Sequence, residues 1–284
     1  MKKIFQRLLI FFVGIPVLIS LVVFLPAYNH LCLNLMVVLT SSLGAVEFQN
    51  ILKQKNLIIS LPEAAILGGL IPALTTAAVS LGLNTIGISM IFMFSISLLF
   101  LSRIFSSPEK QDLFINRIAA GFSVLLYPGL FLSWIILMAL LPRPELKIVL
   151  YLLTVFLNDL AAWAAGMLLG KGNRGIIPAS PNKSIAGFIT GLLASIITGL
   201  LIVHFFSGAF DSRLFPPLAA GAFLGFCTGL AAILGDLGES VLKRSAGLKD
   251  SGVIMPGRGG ILDSIDSISL AAPVFYIAYM LLFA

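Results

Sequence analysis

Charge is scarce in this chain: 18 basic and 12 acidic residues in 284, or 11%, against 59% hydrophobic residues and a mean hydropathy of +1.08. So oily a composition excludes a soluble globular domain. Histidine is nearly missing, with only His30 and His204, so any chemistry here has few imidazoles to draw on. Cysteine is equally rare. Cys32 and Cys227 lie far apart in apolar surroundings, which excludes a disulfide framework and a CxxC metal site and leaves two packed thiols as the expectation. Alternating segments of about ten residues are absent, so a membrane β-barrel is excluded. No internal repeat is visible, which weakens a transporter built from inverted halves.

Long apolar runs are what the chain has instead. About 20 apolar residues at 1.5 Å per residue cross a hydrocarbon core, and in lipid the backbone must satisfy itself, which selects helices. Nine spans are expected, roughly 8–27, 30–46, 63–82, 84–102, 117–141, 147–169, 184–206, 217–235 and 266–284. The junctions at Asn29 and Asn84 are tight. The apolar N-terminal run is long for a secretion signal and lacks a small-residue cleavage site, so it is expected to remain as the first span. The predicted fold class is all-α, a polytopic membrane helix bundle of about nine helices. Short loops leave room for one integral membrane domain, 1–284. Its N-terminal spans cover 1–146, and its C-terminal spans, 147–284, carry the polar loops 170–183 and 236–265.

The placement of Lys and Arg tests this topology. With the N-terminus in the cytoplasm, 15 of the 18 basic residues fall on the cytoplasmic side and three, Arg143, Lys147 and Arg213, on the other. That bias matches the positive-inside rule and puts both polar loops in the cytoplasm.

Nine of the charged residues crowd into 235–266: Asp236, Glu239, Lys243, Arg244, Lys249, Asp250, Arg258, Asp263 and Asp266. A loop that only obeyed the positive-inside rule, or that only bound a lipid surface, would be one-sidedly basic. Balanced charge suits a site holding a divalent cation and a phosphate chain together. If the eighth span continues past Gly235, then Asp236, Ser240 and Lys243 or Arg244 share a helical face; Asp263 and Asp266 would likewise face one way. Between them, Gly259 and Gly260 let backbone N–H groups approach an anion. The bland alternative is a solvated mixed-charge loop. Inside the sixth span, Asp159 with Asn158 either lines a polar cavity or holds the bundle by an interhelical hydrogen bond. Glu47, near Lys53 and Lys55, reads as an interfacial charge.

The stretch "SVLKRSAGLKDSGVIMPGRGGILDSID" (240–266) resembles the signature of the phosphatidate cytidylyltransferases, the CDP-diacylglycerol synthases. Ser240, Lys243, Arg244, Lys249, Asp250, Gly252, Pro256, Gly259, Gly260, Asp263 and Asp266 match it at unbroken spacing, and Gly235-Asp236 also fits. "SPNKSIAGF" (180–188) is similar to a second family stretch through Ser180, Pro181, Lys183 and Gly187, with Ser184 keeping a hydroxyl where Thr is usual. Asn158-Asp159 sits where the family often has an Asn-Asp pair. The resemblance covers roughly 155–284. Arg258 departs from a family His and Ser264 from a family Arg, an exchange that would keep one guanidinium beside the glycines. If so, Arg258→Ala cripples activity in a transfer assay.

The resemblance implies transfer of CMP from CTP to phosphatidic acid, giving CDP-diacylglycerol and pyrophosphate in a bacterial inner membrane, with the site facing the cytoplasm. It implies Mg²⁺ or another divalent cation, leaves room for a second, and suggests a homodimer; membrane lipid is a partner and nucleic acid is not. Asp236 and Asp263 are the expected metal ligands, with Asp266 and Asp250 in support. Lys243, Arg244 and Lys249 would meet phosphate charge. Asn158, Asp159, Ser180, Lys183, Ser184, Ser240, Arg258, Gly259 and Gly260 would bind substrate. His30 and His204 fall away from the polar loops, so no histidine base is expected. None is required, because a phosphomonoester is largely dianionic at neutral pH and is already a nucleophile. A CTP-dependent polyprenol kinase, or a cytidylyltransferase for another membrane lipid, is the alternative; a transporter is a more distant one.

Overall fold

The computed structural model describes residues 10–83, 87–104, 113–212, 215–255 and 259–283. The protein is an all-α membrane protein, and among the described residues there is no strand. Two isolated bridges, Arg174 with Ser184 and Met255 with Gly259, pin loops. In chain order the helices are α1 (Ile15–Phe24), α2 (Ala27–Lys53), α3 (Leu61–Ser80), α4 (Ile88–Ile104), α5 (Phe114–Leu140), α6 (Pro144–Leu168), α7 (Ile185–Phe205), α8 (Pro217–Ser245) and α9 (Leu262–Phe283). Seven of them, α2, α3 and α5 to α9, are long and apolar enough to cross a membrane. The spans expected at 8–27 and 84–102 appear as shorter apolar helices, Phe12–Phe24 and Ile88–Ile104. The Asn84 junction and the basic residues Lys2, Lys3, Arg7, Lys110 and Arg213 lie outside the described residues.

Local chemistry explains the helix boundaries. Ser60 caps α3 by accepting the Glu63 N–H at 3.3 Å, and Ser184 caps α7 by accepting the Gly187 N–H at 3.1 Å, each satisfying a donor that the first turn leaves open. In α5, Pro128 lacks an N–H, and the helix widens into a π turn over Leu125–Leu130. Near the start of α2, Tyr28, Asn29 and His30 have left-handed φ of 52°, 55° and 59°. Regular helix therefore begins after His30, close to the expected boundary. Cys32, expected to be packed, is exposed: apolar neighbours in sequence do not say which way a helix face turns.

Two helices outrun their apolar windows. Expected to end at 46, α2 continues to Lys53, because its polar residues find partners; Gln49 Nε2 donates to the Leu57 carbonyl at 3.0 Å. Expected to end at 235, α8 continues to Ser245. Its 29 residues are about 43 Å long, against a hydrocarbon core of about 30 Å. The segment 236–245, expected as loop, is therefore helical, and α9 begins at Leu262 rather than 266.

The helices sort into two compact units. One comprises Phe24–Leu140 and Leu242–Ile265; the other comprises Leu141–Val241 and the chain from Asp266, with α1 up to Val23. In the first, α2 and α3 approach so closely that a Cβ at Gly68 would collide with Ala45 and one at Gly69 with Ser42. Ser41 Oγ lies 2.6 Å from the carbonyl oxygens of both Gly68 and Pro128. Glu63 forms ion pairs with Arg103 and Arg117, tying α3 to α4 and α5.

In the second unit, fully buried Lys147 donates to the Ala209 carbonyl at 2.7 Å and lies over the Phe210 ring at 4.4 Å. Asn158, 1% exposed, donates to Ser195 Oγ at 2.9 Å and to the Gly229 carbonyl at 3.2 Å, joining α6 to α7 and α8. Asn158→Leu strips these acceptors of their donor, and the expected loss is about 1–3 kcal/mol in a thermal or denaturant unfolding measurement in detergent.

Candidate active site

The first unit holds one cluster of site residues, built on the loop that joins α8 to α9. Lys243, near the end of α8, forms an ion pair with Asp263 in the first turn of α9, both side chains being almost buried. Asp263 Oδ2 also accepts the Gly260 N–H at 2.7 Å, the Ser251 N–H at 2.9 Å and the Ser251 hydroxyl at 2.8 Å. Gly259, at φ +113°, adopts a backbone that L side chains rarely take, and a Cβ there would press on Asp263 Oδ2 at 2.8 Å. Of the glycine pair only Gly260 aims its N–H at an anion, and that anion is protein; the Gly259 N–H donates to the Met255 carbonyl at 3.0 Å. Gly260 serves Asp263, while the next two N–H groups, of Ile261 and Leu262, donate to Glu47 at 3.0 and 2.8 Å.

Glu47 thereby corrects the expectation of an interfacial charge. It is 4% exposed and sits at the N-terminus of α9, where helix dipole and open N–H groups favour an anion.

A second cluster lies in the second unit. Lys183, from the segment 180–188, forms an ion pair with Asp236 of α8 at 2.5 Å, with side chains 24% and 33% exposed. The segment 180–188 thus meets α8 at the Gly235-Asp236 step. Asp266 is 8% exposed, and like charges of Asp236, Asp159 and Glu239 act on it electrostatically. Asp159 Oδ1 accepts the Ser267 hydroxyl at 3.2 Å. Gly235 brings α8 and α9 together here, since a Cβ on it would strike the Asp266 carbonyl.

The remaining sequence candidates have varied positions. Asn158 makes the interhelical hydrogen bonds described above, which is the bundle-holding role. Ser184 is buried and spends its oxygen on capping α7. Ser180 forms a turn in which its carbonyl accepts the Lys183 N–H at 3.1 Å. Ser240 is half-buried on α8, and Lys249 and Asp250 are exposed. Arg244 is also exposed, so of the two adjacent bases it is Lys243 that turns inward. Arg258 lies outside the described residues. Glu47, Glu239, Ser251 and Ser267 belong to these clusters and were not among the sequence candidates. For Glu47 a signal existed: an acid within an apolar helix is costly and needs a partner, the rule that singled out Asp159.

Among the described residues no three His, Cys, Asp or Glu side chains already converge as a finished metal site. The donor chemistry nonetheless fits a hard divalent cation. Asp266 is a nearly buried carboxyl beside the like charges of Asp236, Asp159 and Glu239, an arrangement that a bound cation or a proton would relieve; Lys183 supplies a positive charge to Asp236. Mg²⁺ takes one or two carboxylates together with phosphate oxygens, so a preformed cage is not required.

The sequence matches a family model described as "Cytidylyltransferase family" over residues 5–282. It is 40% identical to a "Phosphatidate cytidylyltransferase" of Helicobacter pylori over 126 residues, 44% of each chain. It is 36% identical to a protein of the same description from a Synechocystis species over 141 residues, 50% of this chain and 45% of the relative. A Staphylococcus aureus protein, again so described, is 41% identical over 125 residues, 44% of this chain and 45% of its own. The aligned stretches span about half the length of these curated relatives.

Proposed function

Because the chain belongs to the cytidylyltransferase family, we propose that it transfers CMP from CTP to phosphatidic acid, releasing pyrophosphate and leaving CDP-diacylglycerol in the membrane. The observation that supports this reading is the Lys183–Asp236 ion pair, which joins the family-like segment 180–188 to the Gly235-Asp236 step of α8. We further propose that the polar segments face the cytoplasm of a bacterial inner membrane, in keeping with the Lys and Arg bias.

In this mechanism an oxygen of the lipid phosphate attacks the α-phosphorus of CTP and the bond to the pyrophosphate oxygen breaks. The lipid phosphate is already largely dianionic, so no side chain has to remove a proton. What remains is charge repulsion and alignment, and fixed positive groups lower both barriers. Lys183, exposed enough to reach solutes, with Arg244 and Lys249, meets phosphate oxygens. Lys243 serves the first cluster from its buried position. Asp236, Asp263 and Asp266 are the proposed metal-binding carboxylates, with Asp250 in support. Mg²⁺ bound at such carboxylates in either cluster would screen the triphosphate charge and favour pyrophosphate departure. Asp159 keeps the surroundings of Asp266 polar through Ser267.

Label position in the product tests the reading against a kinase. With α-labelled CTP the lipid product is expected to carry label; with γ-labelled CTP it is expected to carry none. Lipid labelled only from the γ position would replace this reading with the kinase.

A further inference from the structure

We propose that Glu47, a residue of α2, is a positioning residue for the transfer site: its carboxylate sets the backbone at 260–262 and, through Ser251, the orientation of Asp263. This rests on the functional reading above.

Three groups converge on Glu47 from the distant α8–α9 segment. Oε1 accepts the Ile261 N–H at 3.0 Å, and Oε2 accepts the Leu262 N–H at 2.8 Å and the Ser251 hydroxyl at 3.0 Å. Those two backbone groups open α9, where a helix offers N–H donors without partners of its own. The same Ser251 hydroxyl lies 2.8 Å from Asp263 Oδ2. A serine has one hydroxyl proton, so it serves one carboxylate at a time, while its oxygen can still accept the Asp263 N–H at 3.3 Å. Glu47 and Asp263 are therefore coupled through one hydroxyl. Moving Glu47 changes what Ser251 offers to Asp263.

The glycines of the motif show how closely the loop is drawn onto this carboxylate. A Cβ at Gly252 would collide with Glu47, and one at Gly260 would collide with both Glu47 and Ser251. Neither has a φ that demands glycine, since among the nearby described glycines only Gly247 and Gly259 have positive φ. Space beside Glu47, and not backbone conformation, therefore requires glycine at 252 and 260. One helical turn before Glu47, Gly44 lets α9 approach, with its would-be Cβ 3.3 Å from Ile265 Cδ1 and 3.7 Å from Leu262 Cδ1. Glu47 is nearly buried, so it acts on the loop and does not itself meet substrate.

The test compares purified wild type with Glu47→Gln, Glu47→Ala, Gly252→Ala and the double variant Glu47→Ala/Gly252→Ala. Hydrogen–deuterium exchange is read at Ile261 and Leu262, and kcat and KM for CTP are measured separately. Glu47→Gln puts an amide NH₂ against donors, so exchange at both amides is expected to quicken by about tenfold or more. The turnover number is expected to fall roughly 100-fold, the scale of a small misplacement, with KM for CTP changed by less than about threefold. Gly252→Ala is expected to reproduce this loss. Added to Glu47→Ala it should cost nothing more, because the group it strikes is gone. Thermal unfolding midpoints near the wild-type value show that the variants fold. Unchanged exchange, unchanged kcat, or additive losses in the double variant would each overturn the proposal. An inactive wild type overturns the functional reading itself; an active wild type beside a fully active Glu47→Gln overturns only this one.

Discussion

Asp263→Asn is expected to cut CTP-dependent lipid labelling by roughly 10²–10³-fold, the scale seen when one fixed electrostatic group is removed from a site. The side chain keeps its shape, so the effect reports charge and hydrogen bonding and not lost volume. Its oxygens now face the Lys243 ammonium, two backbone N–H groups and the Ser251 hydroxyl. An amide NH₂ in place of Oδ2 would point a donor at donors, and in either rotamer Lys243 loses its countercharge. Breaking one side of a buried ion pair costs about 3–5 kcal/mol. The cost falls on the loop between α8 and α9, so the protein is expected to remain in the membrane fraction while the transfer assay goes dark. Ordinary activity in this variant would remove Asp263 from the mechanism.

Asp236→Asn is expected to behave differently in one informative respect. Asp236 and Lys183 are each partly exposed, and ion pairs in such settings contribute only about 0–1 kcal/mol. The unfolding midpoint should hardly move. Activity should nevertheless fall by roughly 10²–10³-fold, since Asp236 is both a proposed metal ligand and the partner that holds Lys183 in place. Lys183→Met should raise KM for CTP more than it lowers kcat, because it removes a phosphate contact present before as well as during reaction. The double variant should lose less than the two single losses combined, as expected for residues in direct contact. Additive losses would mean that the pair seen here is incidental.

Much of this arrangement was legible in the sequence because the decisive signals are local. Charge density in 235–266 marked a polar segment in an apolar chain, and helical spacing said which residues would share a face if the eighth span ran past its expected end at 235, as α8 does. An acid inside a span marked Asp159, which lies beside Ser267 and within the electrostatic reach of Asp266. Glu47 was misjudged for a physical reason. Its neighbours in sequence, Lys53 and Lys55, suggested an interface, whereas its partners lie 204, 214 and 215 residues away. A single sequence does not show which distant backbone N–H groups an acid will meet. Helix ends were misplaced where polar residues inside a helix found tertiary partners, as Gln49 does with Leu57. Ser184 shows the converse: a hydroxyl in a motif can be fully occupied as a helix cap.

Product balance in the purified wild-type protein tests the central claim most directly. Given CTP and phosphatidic acid in mixed micelles, the protein should release one pyrophosphate for each CDP-diacylglycerol formed, should stop when divalent cations are chelated, and should resume when Mg²⁺ is restored. CTP consumption that yields CDP and a phosphorylated lipid, or no lipid product at any divalent cation concentration, would contradict it.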